Sequence, residues 1–354
     1  MIFRQIHRAT RFLLLGLALA MLIVACQTSS VEQSPTTSDS ISTERNCRVI
    51  EHEMGETEVC GQPQKVVALS PHILDTVLSL GVQPAGLAQY VNANIKTYDN
   101  PATQIPYLGK RITTTPMGLG DIGSPSLERL TQLQPDLILG EEVAHEDDYP
   151  RLTQIAPTLI FDDFDNPDEV QSWQQDIEGI AQALGKDAQV KELIAAQKEQ
   201  ISQAKAVLQP VLQAYPRVLI IASNLKATDL ELQPESTVGR LLQEIGFKII
   251  RPEGFLDART AISWEIVPQI ETDMVIVMTW NDDLALNPED TLPENTMREK
   301  WAQNPLLSTM PVFQQDRVFF VDYYLWAGVT RGPLSDQLIL EALPDLLLSS
   351  VKKP

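Results

Sequence analysis

The sequence is poor in the residues that build metal sites and disulfide frameworks. Three cysteines and four histidines in 354 residues are too few and too scattered for a divalent metal site with three or four protein ligands. Neither a Walker A sequence nor a G-x-S-x-G nucleophile elbow occurs, so the motifs of P-loop nucleotide chemistry and of α/β-hydrolases are missing. These absences argue against a catalytic protein.

Basic residues are also scarce. The 27 Lys+Arg against 47 Asp+Glu give a formal net charge of −20. Without Arg4, Arg8 and Arg11 of the head segment, 24 bases (27 − 3) face 47 acids, a charge of −23. A field of that sign repels phosphate backbones, which argues against nucleic-acid binding. An anionic small ligand stays possible, because a few arginines in a cleft can dominate locally.

Apolar residues make up 44% of the chain and charged residues 21%, which excludes disorder throughout. The length favours two domains or one large one. An unbroken apolar run of fourteen residues, Phe12 to Ala25, is shorter than the roughly 20 residues that a membrane-spanning helix needs.

The end of this run, Ile23-Val24-Ala25-Cys26, resembles the bacterial lipobox. In a lipobox the cysteine is diacylated and becomes the mature N-terminus. We therefore predict a lipoprotein signal peptide at 1–25, with Cys26 as the lipidation site that holds the protein at a membrane. The alternative is an ordinary signal peptide with an incidental cysteine.

Residues 26–46 are rich in Ser and Thr and are predicted to form a flexible tether. Cys47 and Cys60 then flank two alternating segments around Met54-Gly55. A hairpin would put the two cysteines on facing strands, and disulfides persist in exported chains, so we predict a disulfide. A metal pair is the alternative, although further Cys or His at suitable spacing is missing.

From residue 62 onward, strand and helix patterns alternate in two similar halves. Apolar strands at 65–69 and 217–221 begin the halves, and a helix in each half ends at Gly81 or Gly246. Ser126-x-Glu128 leading to Asp136 matches Ser263-x-Glu265 leading to Asp273 at a constant offset of 137. This pattern predicts two lobes with parallel sheets covered by helices. We place an N-terminal lobe at 47–166, a connecting helix at 167–186 and a C-terminal lobe at 187–354.

Gly118 to Gly123 spells G-x-G-x-x-G, the dinucleotide motif, which requires a preceding strand. Pro116 argues against a central strand, so we expect a flexible loop that leads to a helix at Ser124-Pro125. His72 follows the first strand, where it would bind a ligand or cap a helix. The acidic run at 141–148, which contains His145, is either a hard-cation site or a solvated loop.

Arginines and aromatic residues in predicted loops are candidates for ligand contact. Arginine forks pair with carboxylate, catecholate or hydroxamate oxygens, and aromatic faces cover a flat apolar rim. The alternatives are surface charge for each arginine and core packing for each aromatic. The candidates are Tyr90, Arg111, Arg259, Trp280, Tyr324, Trp326 and Arg331. Glu128 and Glu265 either favour a helix dipole or dock on a two-fold partner that carries arginines.

Motifs from about residue 60 to the C-terminus resemble the periplasmic siderophore-binding proteins of ABC importers, and the ferric dicitrate-binding proteins look nearest. The matching segments are 65–81, 126–139, 155–158, 262–265, 301–306 and 317–333. The resemblance implies an α/β fold of class III, with two Rossmann-like lobes joined by a long rigid helix. It also implies a binding protein without catalysis, whose ligand is an iron(III) chelate in the cleft between the lobes.

The resemblance further implies that Glu128 and Glu265 engage arginine pockets of a dimeric permease served by an ATPase. It places Arg331 at a ligand-contacting position and Trp326 near a cleft aromatic. The iron would be held by the siderophore, with no cofactor and no direct metal ligand from the protein. We expect a monomer, exported to the periplasm or cell surface and anchored by lipid.

Two other functions stay open at this point. A cobalamin or haem receptor would share the same fold. Haem usually takes His, Tyr or Met as an axial ligand, and the sequence offers His72, Tyr90 and the Tyr323/Tyr324 pair. An exported α/β enzyme is the more distant alternative, because it needs a nucleophile beside a histidine.

Overall fold

The structure, a computed structural model, describes residues 46–90, 97–161, 173–226, 229–252, 260–280, 293–328 and 331–350. The predicted signal peptide, the lipidation site Cys26, all of the tether but its last residue, and the candidate Arg259 lie outside the described residues. None of the helices within the described ranges combines the length and the apolar character that a membrane span requires.

The first half of the chain builds a hairpin and one sheet. Its strands are β1 (Cys47–His52), β2 (Gly55–Cys60), β3 (Val66–Ala68), β4 (Gly86–Gln89), β5 (Met117–Asp121), β6 (Leu137–Glu141) and β7 (Thr158–Phe161). Its helices are α1 (Pro71–Ser79), α2 (Pro101–Gln104), α3 (Leu127–Leu133), α4 (Glu142–His145) and α5 (Tyr149–Leu152), with a 3-10 turn at Gly109–Arg111. We call this half the first lobe.

The sheet of the first lobe is parallel throughout, in the order β5-β4-β3-β6-β7. Counted from β3, the order is 3-2-1-4-5, that of a doubly wound α/β sheet without its sixth strand. The order reverses between β3 and β6, which makes the carboxyl ends of these two strands the switch point of the sheet.

The chain then continues through two helices, α6 (Gln174–Leu184) and α7 (Asp187–Ala214), separated by Gly185 in a left-handed conformation. Helix α7 reaches both hydrophobic cores: Val190 packs in the core of the first lobe, and Leu208 packs in the core beyond it. The helix Asp187–Ala214 therefore reaches both cores, and the predicted connecting segment 167–186, described from residue 173 onward, contains α6. The apolar spacing before Gly185 predicted a helix correctly, but its described part buries its apolar residues only in the first core.

The second half builds a mixed sheet. Its strands are β8 (Arg217–Asn224), β9 (Leu230–Leu232), β10 (Lys248–Ile249), β11 (Ala261–Ile262), β12 (Met274–Trp280) and β13 (Val318–Asp322). Its helices are α8 (Thr237–Ile245), α9 (Pro293–Gln303), α10 (Pro311–Gln314), α11 (Tyr323–Trp326) and α12 (Pro333–Leu348), with a 3-10 turn at Val267–Gln269. We call this half the second lobe.

Strands β8, β12 and β13 of the second lobe are parallel neighbours, and β9 and β11 extend the sheet antiparallel. The α/β class with two parallel-rich sheets, predicted from the sequence, is confirmed. Helix α12 packs on both lobes, since Leu334 joins the first core while Ile339 and Leu343 lie in a core of the second lobe.

The sequence match at offset 137 corresponds to a shared structural role. Asp136 accepts hydrogen bonds from the backbone N–H groups of Gln64 and Lys65, both at 2.8 Å, where β3 is about to begin. Asp273 accepts one from the backbone N–H of Arg217 at 2.9 Å, where β8 begins. In each lobe the aspartate before one strand thus holds the start of the neighbouring strand.

The hairpin β1-β2 covers the edge of the first sheet at β7. Cys47 and Cys60 face each other in its register and form a disulfide. The His52 Nδ1 atom accepts from the Ile160 backbone N–H at 3.3 Å, and the Thr57 hydroxyl donates to the Thr158 carbonyl at 3.2 Å. Hairpin side chains thereby satisfy backbone groups at an edge that would otherwise be open.

The glycine-rich segment is a strand, not the flexible loop expected from Pro116. Residues Met117–Asp121 form β5, an edge strand, and edge strands tolerate a proline at their start. A Cβ atom at Gly118 would lie 2.7 Å from the backbone nitrogen of Tyr98. The glycine therefore permits close packing of a neighbouring segment. This packing explains why a glycine stands here, and no bound nucleotide is needed.

Candidate functional site

Most parallel strands of both lobes end in polar or aromatic residues. In open α/β sheets, ligands bind outside the carboxyl ends of the strands and at the switch point. These end residues include Gln89, Asp121 and Glu141 in the first lobe and Asn224, Trp280 and Asp322 in the second.

Contacts across the lobes bring these two edges together. The Arg331 Nη2 atom of the second lobe lies 3.8 Å from Oε1 of Glu141 in the first. The Tyr107 hydroxyl of the first lobe hydrogen bonds to the carboxylate of Asp322. We call the region between the facing carboxyl ends of the two sheets the cleft.

Arg331 lies at the switch point of the first sheet. Its carbonyl accepts a hydrogen bond from Nδ1 of His72, which follows β3, at 2.9 Å. Its guanidinium approaches Glu141, the last residue of β6. The side chains of both charged residues are about nine-tenths buried. A charge held at this depth interacts more strongly with a ligand than a solvated one does.

Asp322 and Tyr107 form a polar pair at the other end of the cleft. Burial raises the pKa of Asp322 to about 6. The carboxylate also caps α11 by accepting from the backbone N–H of Leu325 at 3.0 Å. Burial, and secondarily the charge of Asp322, raise the pKa of Tyr107. The phenol therefore stays protonated and acts as a hydrogen-bond donor.

Aromatic residues surround these polar groups. The rings of Trp280 and Tyr323 lie 4.4 Å apart, and Tyr323 contacts Tyr324 at 6.2 Å between centroids. The Tyr98 hydroxyl donates to the carbonyl of Tyr90, whose side chain is exposed. Burial, and then the charges of Tyr324 and Asp121, raise the pKa of Tyr98 to about 12. The carboxyl edges therefore carry several phenols, of which those of Tyr98 and Tyr107 stay protonated, and one indole.

Two of the predicted ligand residues, Trp326 and Arg111, do not join this group. Trp326 is only 6% exposed and packs in a core of the second lobe. The carbonyl of Arg111 accepts from the Gln83 side chain, which lies before β4 begins, so Arg111 sits at the amino edge of the sheet, away from the cleft. Arg259 lies outside the described residues. Arg331, Trp280, Tyr90 and Tyr324 lie at the carboxyl edges.

The two glutamates at the matched positions are both exposed. Glu128 lies in the first turn of α3, which the Ser126 hydroxyl caps by accepting from Arg129 N–H. Glu265 does not begin an α-helix, because only the 3-10 turn Val267–Gln269 follows it. A hydrogen bond from Ser263, and then one from the backbone, hold the pKa of Glu265 below its usual value.

Neither histidine near the strand ends is placed for metal binding. The Nε2 atom of His72 lies 2.8 Å from Asp176, and His145 is buried beside the backbone of Glu141. Within the described ranges, the one group of three potential metal ligands is Cys47, Glu58 and Cys60, and its cysteines are joined to each other.

The sequence reasoning missed Tyr98, Tyr107, Glu141 and Asp322 as cleft residues. Glu141 and Asp322 carried a usable signal, since each directly follows the apolar core of a strand pattern. Tyr98 and Tyr107 lie in a segment without periodicity, where only tertiary contacts reveal their position.

Residues 66–325 match the family model described as periplasmic binding protein. The chain belongs to this family. It is accordingly a substrate-binding protein rather than an enzyme, and an exported one. Among its relatives, the Fe(3+)-citrate-binding protein YfmC of Bacillus subtilis is 29% identical over 335 residues, covering 92% of this chain and 94% of YfmC. The Fe(3+) dicitrate-binding periplasmic protein FecB of Escherichia coli is 24% identical over 290 residues, covering 80% and 84%.

Solved structures of other binding proteins share the fold. SirA of Staphylococcus aureus, complexed with staphyloferrin B, superposes with a TM-score of 0.66 at 21% identity and covers 85% of this periplasmic binding protein and 98% of SirA. FeuA of Bacillus subtilis, complexed with ferri-bacillibactin, gives 0.65 at 19% identity and covers 85% and 98%. These matches confirm the class III fold expected from the sequence.

Proposed function

We propose that this periplasmic binding protein captures an iron(III)–siderophore in the cleft and delivers it to an ABC permease. The observation that carries the proposal is the buried guanidinium of Arg331 at the switch point of the first sheet, together with aromatic residues at the carboxyl end of the second. Guanidinium forks bind the oxygen-rich shell of a chelate, and aromatic faces cover its apolar rim. Relatives named for ferric citrate agree with this ligand class.

The charges of the described cleft residues favour a chelate with little negative charge. Glu141 partly neutralises Arg331, and Asp121 and Asp322 end strands β5 and β13 at the carboxyl edges of the two sheets. A polyanionic chelate would be repelled by these carboxylates. In a ferric hydroxamate the hydroxamate anions balance the charge of the ferric ion, and their oxygens can accept hydrogen bonds from Arg331. We therefore expect a ferric hydroxamate to bind more tightly than ferric dicitrate.

Glu128 and Glu265 are proposed as permease contacts, one on each lobe. Both are exposed carboxylates at matched positions of two similar lobes, as a two-fold partner with arginine pockets would require. Cys26 is proposed as the lipid attachment site, and the names of the relatives YhfQ and YfiY include the word lipoprotein. The protein would then act as a monomer, anchored to the membrane.

Retention of radioactive iron tests the ligand class. The soluble protein that begins after Gln27 is mixed with iron-labelled ferric hydroxamate, ferric dicitrate or ferric catecholate and passed through a gel-filtration column. We expect the hydroxamate to co-elute with the protein and to be displaced by unlabelled chelate. Retention of dicitrate alone would overturn the charge argument, and retention of none of the three would overturn the proposed ligand class.

A further inference from the structure

The first lobe holds the amino end of helix α12, which belongs to the second lobe. Asp75 of α1 is fully buried, and its Oδ1 atom accepts from the backbone N–H of Leu334 at 2.9 Å. Its Oδ2 atom accepts from the backbone N–H of Ser335 at 2.8 Å and from the Ser335 hydroxyl at 2.6 Å. One carboxylate thus satisfies three donors at the start of a helix from the other lobe.

His72 lies one turn before Asp75 on the same helix and binds the backbone of Arg331, which precedes α12. Its Nδ1 atom donates to the Arg331 carbonyl at 2.9 Å, since a carbonyl can only accept. Its Nε2 atom lies 2.8 Å from Oδ2 of Asp176 in α6, which fixes the ring orientation. His72 is 2% exposed, so this contact is shielded from water.

Gly332 permits the approach of the two segments. A Cβ atom at this position would lie 2.3 Å from the Cγ atom of Asp75. The residue also has φ +154, which L side chains rarely adopt. The backbone of 331–335 is therefore packed directly against the Asp75 carboxylate, and any side chain at 332 would separate them.

From this arrangement we infer that Asp75 and His72 are positioning residues for Arg331. They fix the backbone on both sides of Gly332 from the opposite lobe, and thereby hold the Arg331 guanidinium opposite Glu141 at the switch point. The inference rests on the proposed role of Arg331 in ligand binding. It adds that ligand affinity depends on a buried carboxylate whose hydrogen bonds, among the described residues, go to the backbone of Leu334 and to Ser335.

Asp336 provides a matched control. It is also fully buried on α12 and also links the lobes, because it accepts from Trp173 Nε1 at 2.8 Å, from Gln197 Nε2 at 2.5 Å and from Arg240 Nη2 at 2.9 Å. These bonds stabilise α12 without bonding to the backbone of residues 331–335. Loss of Asp336 should therefore cost stability without displacing Arg331.

A double-mutant cycle tests the inference. Asp75→Asn and Asp336→Asn are each made in the wild-type protein and in Arg331→Ala, and the Kd for a ferric hydroxamate is measured together with thermal unfolding. We expect Asp75→Asn to weaken binding about tenfold in the wild type and less than about twofold in Arg331→Ala, since the loss acts through Arg331. Asp336→Asn should lower the unfolding temperature with a smaller change in Kd.

Equal losses from Asp75→Asn in both backgrounds would overturn the inference, because the carboxylate would then act only on stability. So would equal affinity losses from Asp75→Asn and Asp336→Asn. If Asp75→Asn does not fold, Ser335→Ala is used instead, because it removes one of the three hydrogen bonds. Its effect on the Kd should be smaller but should depend on Arg331 in the same way. Failure of the wild-type protein to bind any ferric chelate would instead overturn the proposed function, which the wild-type titration shows separately.

Discussion

The positions of Arg331 and Tyr107 in the cleft are set by contacts with other parts of the chain. Arg331 is held by its backbone from one lobe and faces a carboxylate of the same lobe with its side chain. Tyr107 adopts a left-handed backbone conformation, φ +60, while it reaches across to Asp322. Such a conformation is uncommon for a residue other than glycine, and it commonly marks a position that the surrounding structure determines.

Removal of the Arg331 side chain should weaken chelate binding. We expect Arg331→Ala to raise the Kd for a ferric hydroxamate by about 10- to 150-fold, the range for a hydrogen bond to a charged group. Isothermal titration calorimetry measures this change. Arg151, which is exposed and pairs with nearby Asp148, is the control, and Arg151→Ala should leave the Kd unchanged. An unchanged Kd for Arg331→Ala would remove this residue from the site.

At the scale of elements, the hairpin β1-β2 depends on the neutral form of His52. Its Nδ1 atom accepts from the backbone N–H groups of Met54 and Ile160, so Nε2 must carry the proton that it donates to Thr57 at 2.9 Å. Burial lowers the pKa of His52 below its usual 6.5. Protonation of Nδ1 would replace an acceptor with a donor and disrupt both bonds.

This arrangement predicts a pH-dependent stability. Because the folded pKa of His52 is below the unfolded value, its contribution is complete above about pH 6.5 and is lost as the pH falls through the folded pKa. We expect His52→Asn, which keeps an acceptor near Nδ1 but does not titrate, to lose less stability than the wild type between about pH 7.5 and about pH 5. Thermal unfolding at both pH values measures the difference.

Asp75 and Asp322 change the stability with pH in the opposite direction, because burial raises their pKa values to about 6. Their raised folded pKa means that stability is lost as the pH rises through about 6. Both are present in the wild type and in His52→Asn, so the comparison of the two proteins cancels their effect. Identical pH profiles for the two proteins would show that His52 does not titrate as described.

Most elements were predictable from the sequence because apolar alternation and glycine termini are local signals. The strands at 137–139 and 217–221 and the helix that ends at Gly246 lie where the pattern put them. Strand β5 was missed since Pro116 is tolerated at a sheet edge, and edge position is a tertiary property. The helix expected after Ser263 is a 3-10 turn, and Pro268 lies within it.

The cleft was only partly predictable for a similar reason. The cleft position of a residue at a strand end, such as Glu141 beside Arg331, can be predicted from the position of the strand. The amino-edge position of Arg111 depends on the path of the segment between α2 and β5, which no local pattern specifies. Trp326 shows the same limit, because a tryptophan in a loop-like sequence can pack inward as well as outward.

At the scale of the whole molecule, ligand capture and delivery use separate surfaces. The cleft lies at the carboxyl ends of the sheets, whereas Glu128 and Glu265 are exposed on α3 and before the 3-10 turn of the second lobe. Helices α7 and α12 pack in both cores and link the lobes. A partner that contacts both glutamates therefore engages both lobes at once.

Charge reversal at both glutamates should separate delivery from capture. We expect Glu128→Arg with Glu265→Arg to leave the Kd for the chelate unchanged and to abolish iron uptake by cells, because arginine pockets would be met by like charges. Uptake of labelled iron and titration of the purified protein are measured in parallel. The control reverses two other exposed acids, Glu192 and Glu199 on α7. Loss of chelate affinity in the Glu128/Glu265 variant would contradict the docking assignment.

The central claim, a ferric siderophore in the cleft, is tested most directly by tryptophan fluorescence of the soluble protein that begins after Gln27. Trp280 lies at the carboxyl end of β12 beside Tyr323, so a bound iron chelate should quench it. Titration covers ferric hydroxamates, ferric catecholates, ferric citrate, haem and cobalamin. We expect saturable quenching by an iron chelate at submicromolar concentration and none by its iron-free form. Saturation by haem or cobalamin alone, or no response to any of them, would contradict the central claim.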